Sequence, residues 1–316
     1  MRKRVILGTL TALVLGTGLV VGVWTFTSRG DPDAAASRVS AWHGLRVLQD
    51  DSWTRPGPRL PAHVVLLVHG LDEPGSIWDQ LAPALRDAGY TPVRFDYPND
   101  QRIADSADLL DAALRRLSAR GVERVSVVAH SMGGLVTRDA LTRDELLARP
   151  APPRPRVDRL ITLGTPHAGS PWAGWRWAAE LREQAERLMG EPMPEAEDLY
   201  RFSFDGEGEA GADLRPGSPF LTDLNARPNP DGVAITCVVG ALITPPPGAS
   251  PELNRLAQTL GDGVVPVPSA QLEGCDDIVF LSANHRGMVR ALPLSTGNAP
   301  PPAIRVILDR LDAGAP

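Results

Sequence analysis

From Val64 onward the hydrophobic and polar positions fall into two patterns that take turns along the chain. The first is the short, nearly continuous apolar run. Val64-Val-Leu-Leu-Val68 is the clearest and carries no charge, and Thr91–Phe95, Val122–Ala129, Val157–Leu163, Val233–Val239 and Ile278–Leu281 mark further strands. A run like Val64–Val68 predicts a parallel strand buried on both faces. The second pattern has the helical period. Ser76 is placed to cap a helix carrying Ile77, Leu81, Ala84, Leu85 and Ala88, and Gly89 stops it. Ile103, Ala107, Leu110, Leu114 and Leu117 share a second stripe, ended by Gly121, and Leu135, Ala140 and Leu147 a third, broken by the Pro-rich stretch 150–155. Ala303–Leu311 predicts a closing helix. Strand and helix alternate throughout, so the expected fold class is α/β with a doubly wound, mostly parallel sheet.

Three stretches depart from this rhythm. Residues 1–28 contain Val5–Phe26, uncharged, mostly apolar and about as long as a bilayer-crossing helix, directly after Arg2-Lys3-Arg4. This predicts a signal anchor with the rest of the chain extracytoplasmic. The alternative is a cleaved signal peptide and secretion, although Ala34-Ala35-Ala36 lies well beyond the apolar run. Residues 29–61 are rich in Pro, Gly, Asp and Arg and read as a linker or lead-in, with Trp42 and Trp53 expected to touch the domain at 62–316. At about 166–230 the alternation lapses into an insertion rich in Trp, Glu, Gly and Pro, placed after a strand's C-terminal end, where ligand-binding loops emerge. Trp172, Trp175, Ala179 and Leu188 fit either a helical hairpin packed on the core or a lid over an acyl pocket.

Composition adds exclusions. The chain has 316 residues and a net charge of −6, with an isoelectric point near 5.6. No basic stripe interleaves with aromatics, so a nucleic-acid partner is not expected. Its two cysteines, Cys237 and Cys275, would be readily oxidised in an exported protein, and the expectation is a disulfide. Two buried free thiols are the alternative. No histidine pair has metal-ligand spacing on a helix, so neither a metal nor another cofactor is called for.

The chemistry centres on Ala129-His-Ser-Met-Gly133, a strand-to-helix turn whose small flanking residues would display Ser131 beyond the sheet. A serine hydroxyl is a poor nucleophile unless a histidine takes its proton and a carboxylate orients that histidine. In chain order the candidates are Asp262, in Gly261-Asp-Gly-Val-Val-Pro266, and His285, in Asn284-His-Arg-Gly287. Asp276 and Asp277 are alternative acids, but they precede the last strand. His167 is an alternative base that precedes the acid, and Ser170 lacks a strand-to-helix turn to present it. An oxyanion also needs two donors. The Met132 N–H is one, and the Leu71 N–H, in Val68-His-Gly-Leu71, is placed to be the other.

Leu67-Val-His-Gly-Leu71, Ala129-His-Ser-Met-Gly-Gly134, Leu163-Gly-Thr-Pro-His-Ala-Gly-Ser170, Asp262-Gly-Val-Val-Pro266 and His285 together resemble the α/β-hydrolase lipases and esterases. They resemble especially the small bacterial triacylglycerol lipases and the GPI-inositol-deacylase-like group. The resemblance implies Ser131, Asp262 and His285 as a catalytic triad and carboxylic-ester hydrolysis as the reaction, and it makes Ala129 a subgroup trait. Small lipases of this kind generally lack a lid, so the insertion is a departure. The expected activity is cleavage of acyl esters, favouring lipid-like ones, through an acyl-enzyme. Acyl transfer, thioester cleavage and amide cleavage use the same constellation, and a non-catalytic hydrolase-fold binding protein at the membrane is the alternative of another class.

Overall fold

A computed structural model describes residues 43–71, 73, 75–150, 152–171, 209–291 and 299–313. The apolar N-terminal segment, Trp42 and the tryptophan-bearing part of the insertion lie outside these residues. Among the described residues, no helix is long and apolar enough to cross a membrane.

Among the described residues eight strands form one sheet: β1 (Gly44–Gln49), β2 (Ser52–Thr54), β3 (His63–Val68), β4 (Pro92–Asp96), β5 (Arg124–His130), β6 (Arg156–Leu163), β7 (Ala234–Gly240) and β8 (Asp277–Leu281). Their spatial order is β2-β1-β4-β3-β5-β6-β7-β8. From β4 to β8 all neighbours are parallel, while β1 runs antiparallel to β2 and β4. The order reverses beside β3, which pairs with β4 on one side and β5 on the other. Crevices for ligands form outside the strand C-termini at such a reversal.

The six runs are six of these strands, and the lack of alternation in Val64–Val68 has a direct cause. Val64, Leu66 and Val68 enter one apolar core while Val65 and Leu67 enter the other. Both faces of β3 are covered, so its successive residues are buried whichever way they point, whereas the edge strand β8 leaves Phe280 58% exposed. The first face is closed by α2 (Ile103–Ser118) and α3 (Met132–Thr142), and the second by α1 (Leu81–Asp87) and α8 (Pro302–Asp312). Leu66 and Leu67 are fully buried on opposite faces. Each contributes about 1.5–3 kcal/mol by leaving water.

Several expectations change. Residues 44–54, read from sequence as part of the lead-in, make the β1–β2 hairpin at the sheet's edge. Half-buried Trp53 there lies beneath the Arg94 guanidinium, 4.8 Å from its ring centroid. Ser76 does not cap a helix: it sits inside a 3-10 turn (Gly75–Trp78), and α1 begins after Gln80. The helix expected through Leu147 breaks at Arg143, whose extended backbone separates α3 from α4 (Asp144–Leu147). The described end of the insertion forms α5 (Glu209–Asp213) and α6 (Pro219–Ala226), and it buries Ala210, Leu214, Leu221 and Leu224 in the first core. An amphipathic helix that the sequence reading passed over, α7 (Pro251–Leu260), precedes Asp262; Ser250 caps it through the Leu253 N–H. Cys237 and Cys275 are free thiols rather than the expected disulfide, packed together with Leu272.

Candidate active site

Ser131 follows the last residue of β5 and precedes α3 with φ 54° and ψ −128°. Among described non-glycine residues only Asp50, Asp51 and Ser131 have positive φ, and the aspartates turn the edge hairpin. Such a conformation costs on the order of 1–3 kcal/mol and persists only when its surroundings fix it. Here the Ser131 N–H donates to the Leu163 carbonyl on β6 at 2.9 Å. A Cβ on Gly133 would collide with the Val68 and His69 carbonyl oxygens, so only glycine lets α3 start this close to β3. Ala129 is fully buried and its methyl is absorbed by the first core.

Asp262 and His285 come from loops after β7 and β8 and meet at the same edge. Nδ1 of His285 is 2.7 Å from Oδ2 of Asp262, and the His285 N–H donates to the Asp262 carbonyl at 2.9 Å. The other carboxylate oxygen accepts the N–H groups of Val264 at 2.9 Å and Val265 at 2.8 Å. Burial alone would push this carboxyl up; the attraction of His285 and these N–H groups outweighs it and holds Asp262 below the usual carboxylate range. Asp262 therefore stays charged and directs one oxygen at the imidazole.

The first oxyanion candidate, Met132, is the first residue of α3, where backbone N–H groups lack intrahelical acceptors. The second, Leu71, is a half-buried turn residue. Its peptide is oriented from the other side. The Gly70 carbonyl accepts from Asn99 Nδ2 at 3.0 Å and lies 2.9 Å from Nδ1 of His69. In a trans peptide the N–H points opposite the carbonyl, so these bonds direct the Leu71 N–H away from Asn99. A Cβ on Gly70 would lie 2.7 Å from Cβ of Ser131, which measures how closely this loop passes the serine.

Two residues at the site, buried Glu73 and half-buried Asn99, were missed by the sequence reading. Glu73 accepts the Gly70 N–H at 3.0 Å through Oε2, and the same oxygen is 2.6 Å from Nδ1 of His130. The signal was an acidic residue directly after a strand and a His-Gly turn, but nothing local said that it faces inward. Asn99 was missed for the same reason.

The rejected alternatives are engaged elsewhere. His167 is buried, with Nδ1 3.3 Å from Arg138 Nη1 and its carbonyl bonded to Asn225. Ser170 donates to the Val264 carbonyl at 2.6 Å. Asp277 opens β8 and binds Arg310 and Thr236. Glu73, His130 and His285 bring three ligand-type atoms within 4.8 Å of one another, but Glu73 and His130 are bonded to each other and His285 to Asp262.

A strained serine at the turn from strand to helix, beside a carboxylate–imidazole pair drawn from later strand ends, defines a hydrolase-type site on a doubly wound sheet. Residues 65–293 match the alpha/beta hydrolase family, and the chain belongs to that family. Among solved structures it is similar to the mature lipase BlEst2 of Bacillus licheniformis, with a TM-score of 0.54 and 21% identity over 82% of this chain and 99% of that one. Lipase 1 of Pelosinus fermentans gives 0.53 and 15% over 80% and 99%. A metagenomic carboxyl esterase gives 0.52 and 19% over 82% and 80%. These likenesses are of fold. No curated protein matches the chain by sequence.

Proposed function

We propose that the protein is a serine hydrolase that cleaves carboxylic esters through an acyl-enzyme, acting on lipid-like acyl esters outside the cytoplasm. The observation that carries this reading is the Asp262–His285 pair, directed by 2.7 Å and 2.9 Å bonds at the edge where the strained turn displays Ser131. His285 Nε2 takes the proton of Ser131 as its Oγ bonds to the substrate carbonyl carbon, and Asp262 stabilises the imidazolium that forms. The Met132 and Leu71 N–H groups hold the negative oxygen of the tetrahedral intermediate. Collapse breaks the ester C–O bond, and His285 returns the proton to the departing alcohol. Water then attacks the acyl-enzyme by the same route, with His285 as base. No step calls for a metal or cofactor.

Two features support a lipid-like substrate. Leu242 and Leu256 are about half exposed beside the loop that carries Asp262, and the Leu242 N–H donates to the Gly261 carbonyl at 2.7 Å. The apolar segment Val5–Phe26 would hold the site near a membrane as a signal anchor. The insertion at about 166–230 is proposed as the lid over the acyl chain.

The test is labelling with a fluorophosphonate probe, followed by p-nitrophenyl esters of rising chain length. Native protein should label and Ser131→Ala should not. Folded native protein that never labels would overturn the enzyme reading, and labelling that survives in Ser131→Ala would overturn the residue. Turnover that shows no rise when a short ester passes into micelles would remove the lid.

A further inference from the structure

His130 ends β5 immediately before Ser131 and is fully buried. Each of its ring nitrogens faces an oxygen. Nε2 lies 2.9 Å from the His285 carbonyl, and Nδ1 lies 2.6 Å from Oε2 of Glu73. A carbonyl oxygen only accepts, so Nε2 must carry a proton. A neutral ring would then turn a bare Nδ1 toward a bare carboxylate oxygen at 2.6 Å, two acceptors in contact. A second proton is therefore required between Nδ1 and Oε2. The same Oε2 accepts the Gly70 N–H at 3.0 Å, and Arg286 Nε lies 3.7 Å from Oε1. Both contacts favour the charged carboxylate, which leaves the proton on the ring.

We propose that His130 is a standing imidazolium, locked between Glu73 and the main chain of His285, and that this pair is a positioning element which fixes the base loop and the oxyanion loop to each other. The proposal rests on the serine-hydrolase reading for its effect on turnover, while the charge state of His130 does not depend on it.

The groups around the ring are consistent with this state. Glu73 faces Nδ1. The His285 ring lies 4.6 Å away between centroids, tilted by 50°. Burial opposes charge on His130, but Glu73, the His285 carbonyl and Asp262 raise it above the ordinary imidazole value. Burial likewise opposes charge on Glu73, and His130, Arg286 and His285 together hold it far below the carboxylate range. Tyr97 is buried nearby, kept protonated by burial and by Glu73, and its hydroxyl donates to the His69 carbonyl at 2.7 Å.

The arrangement holds His285 from two directions. Asp262 takes its ring and its N–H, and His130 takes its carbonyl. Through Glu73 the same ring is tied to Gly70, whose carbonyl carbon forms the peptide to the Leu71 N–H. An amide cannot replace the carboxylate here. A carboxamide oxygen at the Oε2 position accepts from Gly70 but leaves only one ring proton, which Nδ1 and Nε2 must share. A carboxamide nitrogen there supports Nδ1 but meets the Gly70 N–H as a second donor.

The direct test is nitrogen NMR of full-length protein carrying 15N-labelled histidine. One of the six histidines should keep both ring nitrogens protonated from about pH 6 to about pH 9, well above the ordinary imidazole range, and Glu73→Gln should abolish that signal. If every histidine shows a bare ring nitrogen at the upper end, the imidazolium is overturned. On p-nitrophenyl esters, Glu73→Gln should lower kcat by about 10- to 100-fold, as for a misplaced catalytic group, with KM within about twofold and probe labelling at Ser131 retained but slower. A variant that loses the imidazolium signal and keeps native kcat overturns the positioning role. If Glu73→Gln does not fold, Glu73→Asp carries the same comparison, and kcat should follow the signal. Native protein that shows the imidazolium but never labels would sink the hydrolase reading alone.

Discussion

Asp262 grips His285 twice: its carboxylate holds the ring at 2.7 Å and its main-chain carbonyl holds the N–H at 2.9 Å. One residue thus sets both the orientation of the imidazole and the path of the loop that bears it. Substituting Asp262 with Asn leaves the loop bond in place and removes only the charge and the acceptor for Nδ1–H. Asp262→Asn is expected to remain folded and to lose about 10³- to 10⁴-fold in kcat on a p-nitrophenyl ester. Loss of less than tenfold would mean that another group orients His285.

Asn99 acts on the oxyanion side. Its Nδ2 bond to the Gly70 carbonyl aligns the peptide that carries the Leu71 N–H, so Asn99→Leu should let that donor rotate. The expected result is a fall in kcat of about tenfold with little change in KM, below the roughly 10²- to 10³-fold cost of deleting a donor outright. Steady-state kinetics on one short ester decide this, and a change in KM alone would place Asn99 in substrate binding.

Gly164 lies under the pair itself. A Cβ there would stand 2.8 Å from Oδ2 of Asp262 and 3.0 Å from Nδ1 of His285, and its φ is +55°. Gly164→Ala is expected to cost about 1–2 kcal/mol from the backbone alone, and more than tenfold in kcat from wedging the pair apart. Chemical denaturation and turnover on the same preparation separate the two effects.

Acid should weaken the fold through the site. Asp262 and Glu73 both have carboxyls held low in the native state. As pH falls, the unfolded chain takes up their protons first, so their stabilisation is complete above the ordinary carboxylate range, near pH 4, and is lost progressively below it. His130 is raised, so its share is complete below about pH 6.5 and is lost as pH climbs through its folded value. Between about pH 6.5 and pH 5 urea midpoints should therefore stay nearly level for native protein but fall for Glu73→Gln, whose buried His130 is then neutral and takes up a proton only on unfolding. Equal slopes in that window would mean that Glu73 does not hold the charge on His130.

The N-terminal segment should govern location. Full-length protein is expected in the membrane fraction, and a chain lacking residues 1–28 in the soluble fraction, as an anchor of about twenty apolar residues requires. Intact full-length protein in the soluble fraction would overturn the anchor.

What the sequence determined by itself is what neighbouring residues decide. Val64–Val68 is apolar without alternation because both faces of β3 are covered, and that pattern is readable from consecutive letters, whereas the exposure of Phe280 on the edge strand β8 is not. The turn around Ser131 is equally local, since small residues on either side of one serine are what its positive φ and the approach of α3 to β3 demand. Chain order then singled out Asp262 and His285, which the structure does bring together.

Only the tertiary structure decided the rest. Glu73 and His130 are 57 residues apart, and His130 and His285 are 155 apart. The acid in the loop after β3 reads as a surface residue until the β5 and β8 ends close over it. The hairpin at 44–54 and the thiol pair follow the same rule. Gly44–Gln49 becomes a strand because β4 offers it an open edge, and whether two cysteines bond or merely pack is a matter of where β7 meets the turn before β8. Periodicity reports which face of an element is buried; it carries no information about which distant polar group waits there.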